Sequence, residues 1–336
     1  MPERTDHRDT IALTSALTGF NVEFVDGVRV ENIADKAMPP ELGSGDLKGG
    51  AKGAWRAHMN TLRDIVAKGY GSALIAEEDF DWDIRLKEQL SDFAIASTSI
   101  LSRYSPEHIP RFAQVKNETI EFSDLSQWLE RHQKQLHVAD SPYGDGWDVL
   151  WLGNCNIRMD ARNEAWQTLS VIRRGDSTAV PVNQYWSLDS VAPIGAPYTS
   201  LSNQTRLYLS QPTDCVCSIA YAVSQQGARK LLFELGLERA DKPFDLMLQD
   251  FCQGGWKGGL AEPHACWGVM PTIFSSYSAA GREDRNSDIG TVENARVREN
   301  GYTLNIQRSV RINARKLLQG QIEDIEDHYP YTEGTY

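Results

Sequence analysis

Ser72-Ala73-Leu74-Ile75-Ala76-Glu77-Glu78-Asp79-Phe80 is the stretch whose reading decides the fold. Its first five residues are small or apolar and follow Gly69 and Gly71, so they read as a short buried strand. Ahead of it, Trp55, Met59, Leu62 and Val66 recur three or four apart and share one helical face. Behind it, a second helix is expected from about residue 83 into the 95–101 region. A strand between two helices is the signature of an α/β layer. Glu77 and Asp79 stand two apart, so in extended chain they project to the same side. They do so at the carboxyl end of the strand, where open α/β sheets bind ligands. Two carboxylates there offer hard oxygen ligands suited to Mg²⁺ or Mn²⁺, ions that keep positions open for phosphate oxygens. The plain alternative is a solvated acidic turn.

Working outward, a helix is expected over about 6–18, stopped by Gly19. Asn21-Val22-Glu23-Phe24-Val25 alternates and ends in Asp26-Gly27, the pattern of a strand and turn. Residues 39–53 form a Gly- and Pro-rich connection, and 102–123 an irregular insert with Pro106 and Pro110. Ser123 or Asp124 caps a helix through His137, and Trp147 to Gly153 reads as a buried strand. Residues 155–214 are rich in Pro, Ser and Tyr and read as a loop-rich region with short strands. A strand over 215–223, helices over 225–235 and 244–252, and a last strand over 264–274 follow. The expected organisation is one catalytic domain over 1–290 and a polar C-terminal tail over 291–336, solvated at its acidic end.

The chain has 336 residues, 34 Lys plus Arg and 46 Asp plus Glu, for a net charge of −12. A hydrophobic fraction of 41% with 24% charged residues belongs to a globular protein rather than a disordered one. A pI near 5.1 argues against nucleic acid or an anionic membrane surface as partner. It suits a neutral substrate, or an anionic one whose charge is met by a bound cation. No stretch approaches the roughly 18–20 apolar residues that span a bilayer. The N-terminus is charged from Glu3 onward and lacks the apolar centre of a signal peptide. As written, the chain is expected in the cytoplasm unless a targeting segment has been lost. The 5 cysteines permit one or two bridges but no disulfide framework. There is no P-loop, no His-Glu-x-x-His helix and no Gly-x-Ser-x-Gly elbow. Gly43-Ser44-Gly45 lacks the third glycine of a dinucleotide loop.

Five blocks in order carry a resemblance. Gly53-Ala54-Trp55-Arg56-Ala57-His58 is similar to a Gly-Cys-x-x-Ser-His block, and Ala73 to Asp79 to an apolar strand ending in Glu-Asp-Asp. Pro2-Glu3-Arg4-Thr5-Asp6-His7-Arg8 looks like an opening Asn-Leu-Pro-x-Arg-x-x-Arg. Trp147 to Gly153 resembles a Trp-Asp-x-x-x-Leu-Gly strand, and Ala220 to Leu232 an Ala-Tyr-x-x-Ser-x-x-Gly-Ala-x-x-Leu block. Together they resemble glycosyltransferase family 25, in its fungal branch, over about residues 2–274. The resemblance implies a GT-A-like (Rossmann-like) mixed sheet flanked by helices. It also implies a UDP-sugar donor, commonly UDP-galactose, a divalent metal (Mn²⁺ or Mg²⁺), and inverting transfer to a glycan or protein hydroxyl. It further implies work in the ER or Golgi lumen. Ala54, Ala57 and Glu78 depart from the family pattern, and the chain starts where the family's first strand would end.

Carried onto this sequence, the metal falls to Asp79 as direct ligand with Glu77 beside it, and Glu78 joins the donor-binding set. Arg4 and Arg8 are expected near the donor's phosphate or its base, or else as solvated helix-start charges. Asp26 reaches a ribose hydroxyl or simply makes its turn. Asp245, a lone acid in Pro243-Phe244-Asp245-Leu246-Met247-Leu248, is the candidate general base, with a helix-start carboxylate as the alternative. Asp250 points elsewhere. His58 reads as a packed core histidine, and His264 with Cys266 or Cys215 with Cys217 lacks the spacing of a zinc site. Trp151, Trp186 and Tyr198 are stacking candidates for a sugar, with burial as the default. The expected function is hexosyl transfer. The alternatives are a non-catalytic nucleotide- or carbohydrate-binding relic of the same fold and a phosphoryl-transfer or hydrolytic enzyme.

Overall fold

Two helices and a short strand build the part of the molecule that matters most. Helix α1 (Thr5–Thr18) stops at Gly19, whose left-handed φ of 65° lets its N–H return to Ala16 O. Helix α2 (Gly49–Lys68) buries Trp55, Met59, Leu62 and Ile65 along one stripe. Each such side chain contributes about 1.5–3 kcal/mol by leaving water. Strand β1 (Ser72–Ala76) follows, then β2 (Phe80–Trp82) and α3 (Leu86–Leu101). The computed structural model describes residues 1–39, 47, 49–101, 118–122, 141–158, 169–186, 203–253, 264–285 and 295–329.

The remaining strands are β3 (Glu118–Phe122), β4 (Val149–Gly153), β5 (Asn156–Arg158), β6 (Leu169–Arg174), β7 (Thr205–Ser210), β8 (Thr213–Val216) and β9 (Ala220–Ser224). After α4 (Gln225–Leu231), a π-helical turn (Leu232–Glu238) and α5 (Phe244–Gln253) come β10 (Cys266–Met270) and β11 (Phe274–Ser278). Short strands β12 (Gly281–Arg282), β13 (Val297–Arg298) and β14 (Tyr302–Thr303) and helix α6 (Ala314–Leu318) finish the chain.

The fold is mixed α/β. Seven strands form one sheet in the order β1-β9-β4-β10-β7-β6-β3. β4 and β10 run parallel, as do β3 and β6, and the other neighbours are antiparallel. Helices cover both faces. Trp55, Met59 and Leu62 of α2 share one core with Leu231, Met247 and Phe251, while Ile11 of α1 and Phe93 of α3 share the other with Trp82 and Trp267. Gly227 permits a close backbone approach, since a Cβ there would lie 2.1 Å from Asp148 O. Ser224 caps α4 by accepting the Gly227 N–H at 2.9 Å. Disulfides join Cys155 to Cys217 and Cys252 to Cys266, and Cys215 stays a buried thiol. No described helix is long and apolar enough to cross a membrane.

Several expectations are corrected. Residues 21–25 pair with no described strand, because Val22 packs against the α1 core while Phe24 and Val25 are exposed beside a cavity. The loop-rich region does hold the short strands expected of it, but two of them, β6 and β7, belong to the main sheet. All six residues of β7 are buried, including Arg206, which breaks the apolar pattern that would have revealed a strand. Residues 118–122 of the irregular insert form the edge strand β3, while the helix expected through His137 lies outside the described residues. The polar tail is only partly a tail. Val310 is fully buried among Trp82 and its neighbours, and β14 extends a three-stranded sheet with β11 and β2.

Candidate active site

The strand-and-acid reading places Glu77, Glu78 and Asp79 at the end of β1, and there the structure finds them. Pairing with β9 persists one residue past β1, with Glu77 N–H donating to Ile219 O at 2.9 Å. The chain then turns, Phe80 N–H returning to Glu77 O at 3.2 Å. Glu77 and Asp79 therefore meet across a turn rather than by strand alternation. All three acids are half-buried.

Glu77 Oε1 accepts a hydrogen bond from Ser218 Oγ at 2.6 Å. Burial, then the charge of Asp79, push Glu77 up to about 7, with Asp245 and Glu78 adding to the repulsion and Ser218 opposing it. Burial also raises Asp79, although Arg311 and His7 pull the other way. Glu78 is differently placed. Its carboxylate accepts from the Met1 ammonium at 2.7 Å, and its carbonyl lies 3.2 Å from His7 Nδ1 and 3.1 Å from Arg311 Nη2.

Asp245 joins this group from the first turn of α5. Its Oδ2 accepts from Cys217 N–H at 3.0 Å. The partner is thus a neighbouring segment, not the helix it opens. Cys217 and Ser218 together tie Asp245 and Glu77 to one short stretch, and the bridge to Cys155 anchors that stretch.

Arg4 and Arg8 face the same cavity, of about 770 Å³, as the acids. Arg4 pairs with Asp6 at 3.0 Å and touches His7, while Arg8 pairs with Asp26. Arg4 and Arg8 thus line the cavity, and Asp26, expected to reach the donor with them, is held by Arg8. Farther in, the cavity becomes an apolar lane along β1, walled by Ile11 and Phe20 on one side and Ala57 and Ile65 on the other.

His58 is a core histidine: Phe244 stacks on it at 3.8 Å, Tyr221 OH lies 2.9 Å from Nδ1, and burial pushes it down to about 3. His264 binds Glu234 at 2.7 Å, and Cys266 and Cys217 are both in disulfides, so neither His264 with Cys266 nor Cys215 with Cys217 is a zinc site. Asp250 pairs with Arg239 and Lys242, away from the acids. Trp151 is fully buried, Trp186 is partly exposed, and Tyr198 lies outside the described residues.

Sequence reasoning missed Ser218, His7 and Arg311. Arg311 lies over the Tyr277 ring at 5.1 Å, held within the segment expected to be tail. No local pattern marks it, since its partners Glu78 and Tyr277 come from remote segments.

Two carboxylates here are of the kind a hard divalent cation takes. Glu77 and Asp79 offer carboxylate oxygens, and a cation would relieve the burial cost and the like-charge repulsion that raise Glu77. Among the described residues, no three His, Cys, Asp or Glu side chains form a cation-holding group by themselves. No family model matches the chain, and no curated protein is found to be similar to it.

Proposed function

We propose that the protein is a GT-A-like glycosyltransferase that moves a hexose, galactose first among them, from a UDP-sugar to a glycan or protein hydroxyl with inversion. One observation carries this reading: Glu77 and Asp79 stand half-buried together at the end of β1, in a cavity that Arg4 and Arg8 also line. Mn²⁺ or Mg²⁺, held by Asp79 and Glu77, would neutralise the charge that develops on the departing diphosphate.

The chain's own groups account for the rest. Arg4 and Arg8 suit phosphate oxygens and would exchange Asp6 and Asp26 for them when a donor arrives. Asp245 is the general base. Cys217 N–H holds its Oδ2, and among the described residues its Oδ1 accepts no hydrogen bond. The acceptor oxygen forms its bond to the anomeric carbon as the bond to the diphosphate breaks, and its proton passes to Asp245. Ser218 fixes Glu77 relative to that base.

Binding without turnover is the second reading. It is favoured by Ala54, Ala57 and Glu78, which depart from the family pattern at the cavity. UDP-galactose incubated with Mn²⁺ and a sugar acceptor separates the two. The proposal expects UDP release with a galactosylated product, lost at least 100-fold in Asp79→Ala while the melting profile stays native. Wild-type activity in that variant overturns it, and calorimetric UDP binding with no product supports the second reading.

A further inference from the structure

Cys217 is not a glycine, yet its φ is 63°, in the left-handed region. A residue with a Cβ avoids that region unless its surroundings impose it. Here each of its groups is held by a different partner. Its N–H donates to Asp245 Oδ2 at 3.0 Å, and its C=O accepts from Trp151 Nε1 at 2.8 Å. Its sulfur is bonded to Cys155, whose own N–H donates to Val216 O at 3.0 Å. The next two residues both hold Glu77. Ser218 Oγ donates to its carboxylate at 2.6 Å, and Ile219 O accepts its N–H at 2.9 Å. Residues 217–219 therefore set the place of Asp245 relative to Glu77, and the disulfide fixes the first of the three.

The two disulfides differ in reach. Cys252 and Cys266 are each only 1% exposed, so a reductant does not meet their sulfurs while the fold is intact. Cys155 and Cys217 are both half-buried. Exposed bridges are the ones that thiolates exchange, and buried ones are structural. The reachable bridge is thus also the one that touches the acids.

We propose that the Cys155–Cys217 bridge is a redox switch on the alignment of Asp245 with Glu77. A dithiol supplies two electrons and two protons. The S–S bond breaks, both cysteines become thiols, and the dithiol closes into its own disulfide. Freed of the bridge, Cys217 relaxes out of the left-handed region and its N–H turns from Asp245. Cys217 and Ser218 are positioning residues here, and the inference rests on the sugar-transfer reading for the role of Asp245.

The full chain is treated with dithiothreitol and then with iodoacetamide under native conditions. Mass spectrometry should find Cys155 and Cys217 alkylated, and Cys252 and Cys266 still bridged. On reduction the Cys217 amide, followed by NMR, should exchange at least tenfold faster. The kcat for UDP-galactose transfer should fall at least tenfold with donor KM nearly constant, and oxidised glutathione should restore both. Two double variants separate alignment from general stability, since both lack the bridge. Ala at position 217 is strained at this φ and Gly is not. Cys155→Ala with Cys217→Gly should therefore keep at least fivefold more kcat than Cys155→Ala with Cys217→Ala. Four results overturn the proposal: a bridge that resists the dithiol, reduction that unfolds the chain, a Cys217 amide that exchanges equally before and after, or equal kcat in the two variants. An oxidised chain that makes no product overturns sugar transfer alone, because amide exchange still decides whether the bridge controls the contact with Asp245.

Discussion

Two carboxylate sites in this molecule, one buried and one half-buried, are handled in opposite ways. Around Asp176 every charge is met. Arg206, only 1% exposed, donates to Asp176 at 2.7 Å, to Thr178 at 3.1 Å and to Pro271 O at 2.5 Å. Thr178 returns two bonds to Asp176, at 2.8 and 2.6 Å. Burial would raise this carboxyl, but Arg206 and Thr178 outweigh it and hold it below the ordinary aspartate range. At the end of β1 the balance fails. Glu77 has one hydroxyl partner and several like charges around it, and it is raised to about 7. A satisfied cluster fastens strands together, whereas an unsatisfied one at a cavity mouth is the place to look for a ligand. Four perturbations test that contrast.

The largest effect belongs to the satisfied cluster. Arg206→Met leaves Asp176 buried without its cation and should cost about 3–5 kcal/mol in denaturant unfolding. A loss near zero would remove the fastening role.

The second effect concerns pH. Glu77 is raised from 4.5 to about 7 in the folded state, so the unfolded chain loses its proton first. Folding is unpenalised below pH 4.5 and becomes less favourable up to about 7, where the penalty levels off. Because the group is half-exposed, the penalty should be about 2 kcal/mol. Thermal melts of wild type and Glu77→Gln across this range should diverge as pH rises, with the variant the more stable. Parallel curves would show that Glu77 is not perturbed.

Third, Asp79→Asn removes one of the repelling charges and should change stability by no more than about 1 kcal/mol. The same change should abolish Mn²⁺ binding. A large loss of stability would make Asp79 a structural residue like Asp176.

The smallest effect is that of Ser218→Ala. It removes one hydrogen bond, about 1 kcal/mol, and should move the Glu77 midpoint upward, since that bond favours the ionised form. An unchanged midpoint, followed by NMR of the carboxyl carbon, would show that the bond is not made in solution.

Local pattern made α1, α2, β1 and the acidic turn legible, because each rests on periodicity or a terminating glycine. Asp245 could be picked out as a lone acid, but its bond to Cys217 could not, for the two are 28 residues apart. β7 was hidden by Arg206, a charge whose partner lies 30 residues away. Residues 302–318 read as polar tail because most of their buried members, such as Thr303, Gln307 and Ser309, are polar, and Val310 and Ser309 meet Trp82 and Asp81 across more than 200 positions. Sequence reasoning follows chemistry that is local in the chain and misses chemistry that topology assembles.

Titration of the full chain with Mn²⁺, followed by electron paramagnetic resonance with and without UDP, bears most directly on the acidic cluster. The account predicts one bound ion, held more tightly as pH rises toward 7 and tighter again with UDP, and no bound ion in Asp79→Asn. Mn²⁺ that does not bind, or binds equally well in that variant, would contradict it.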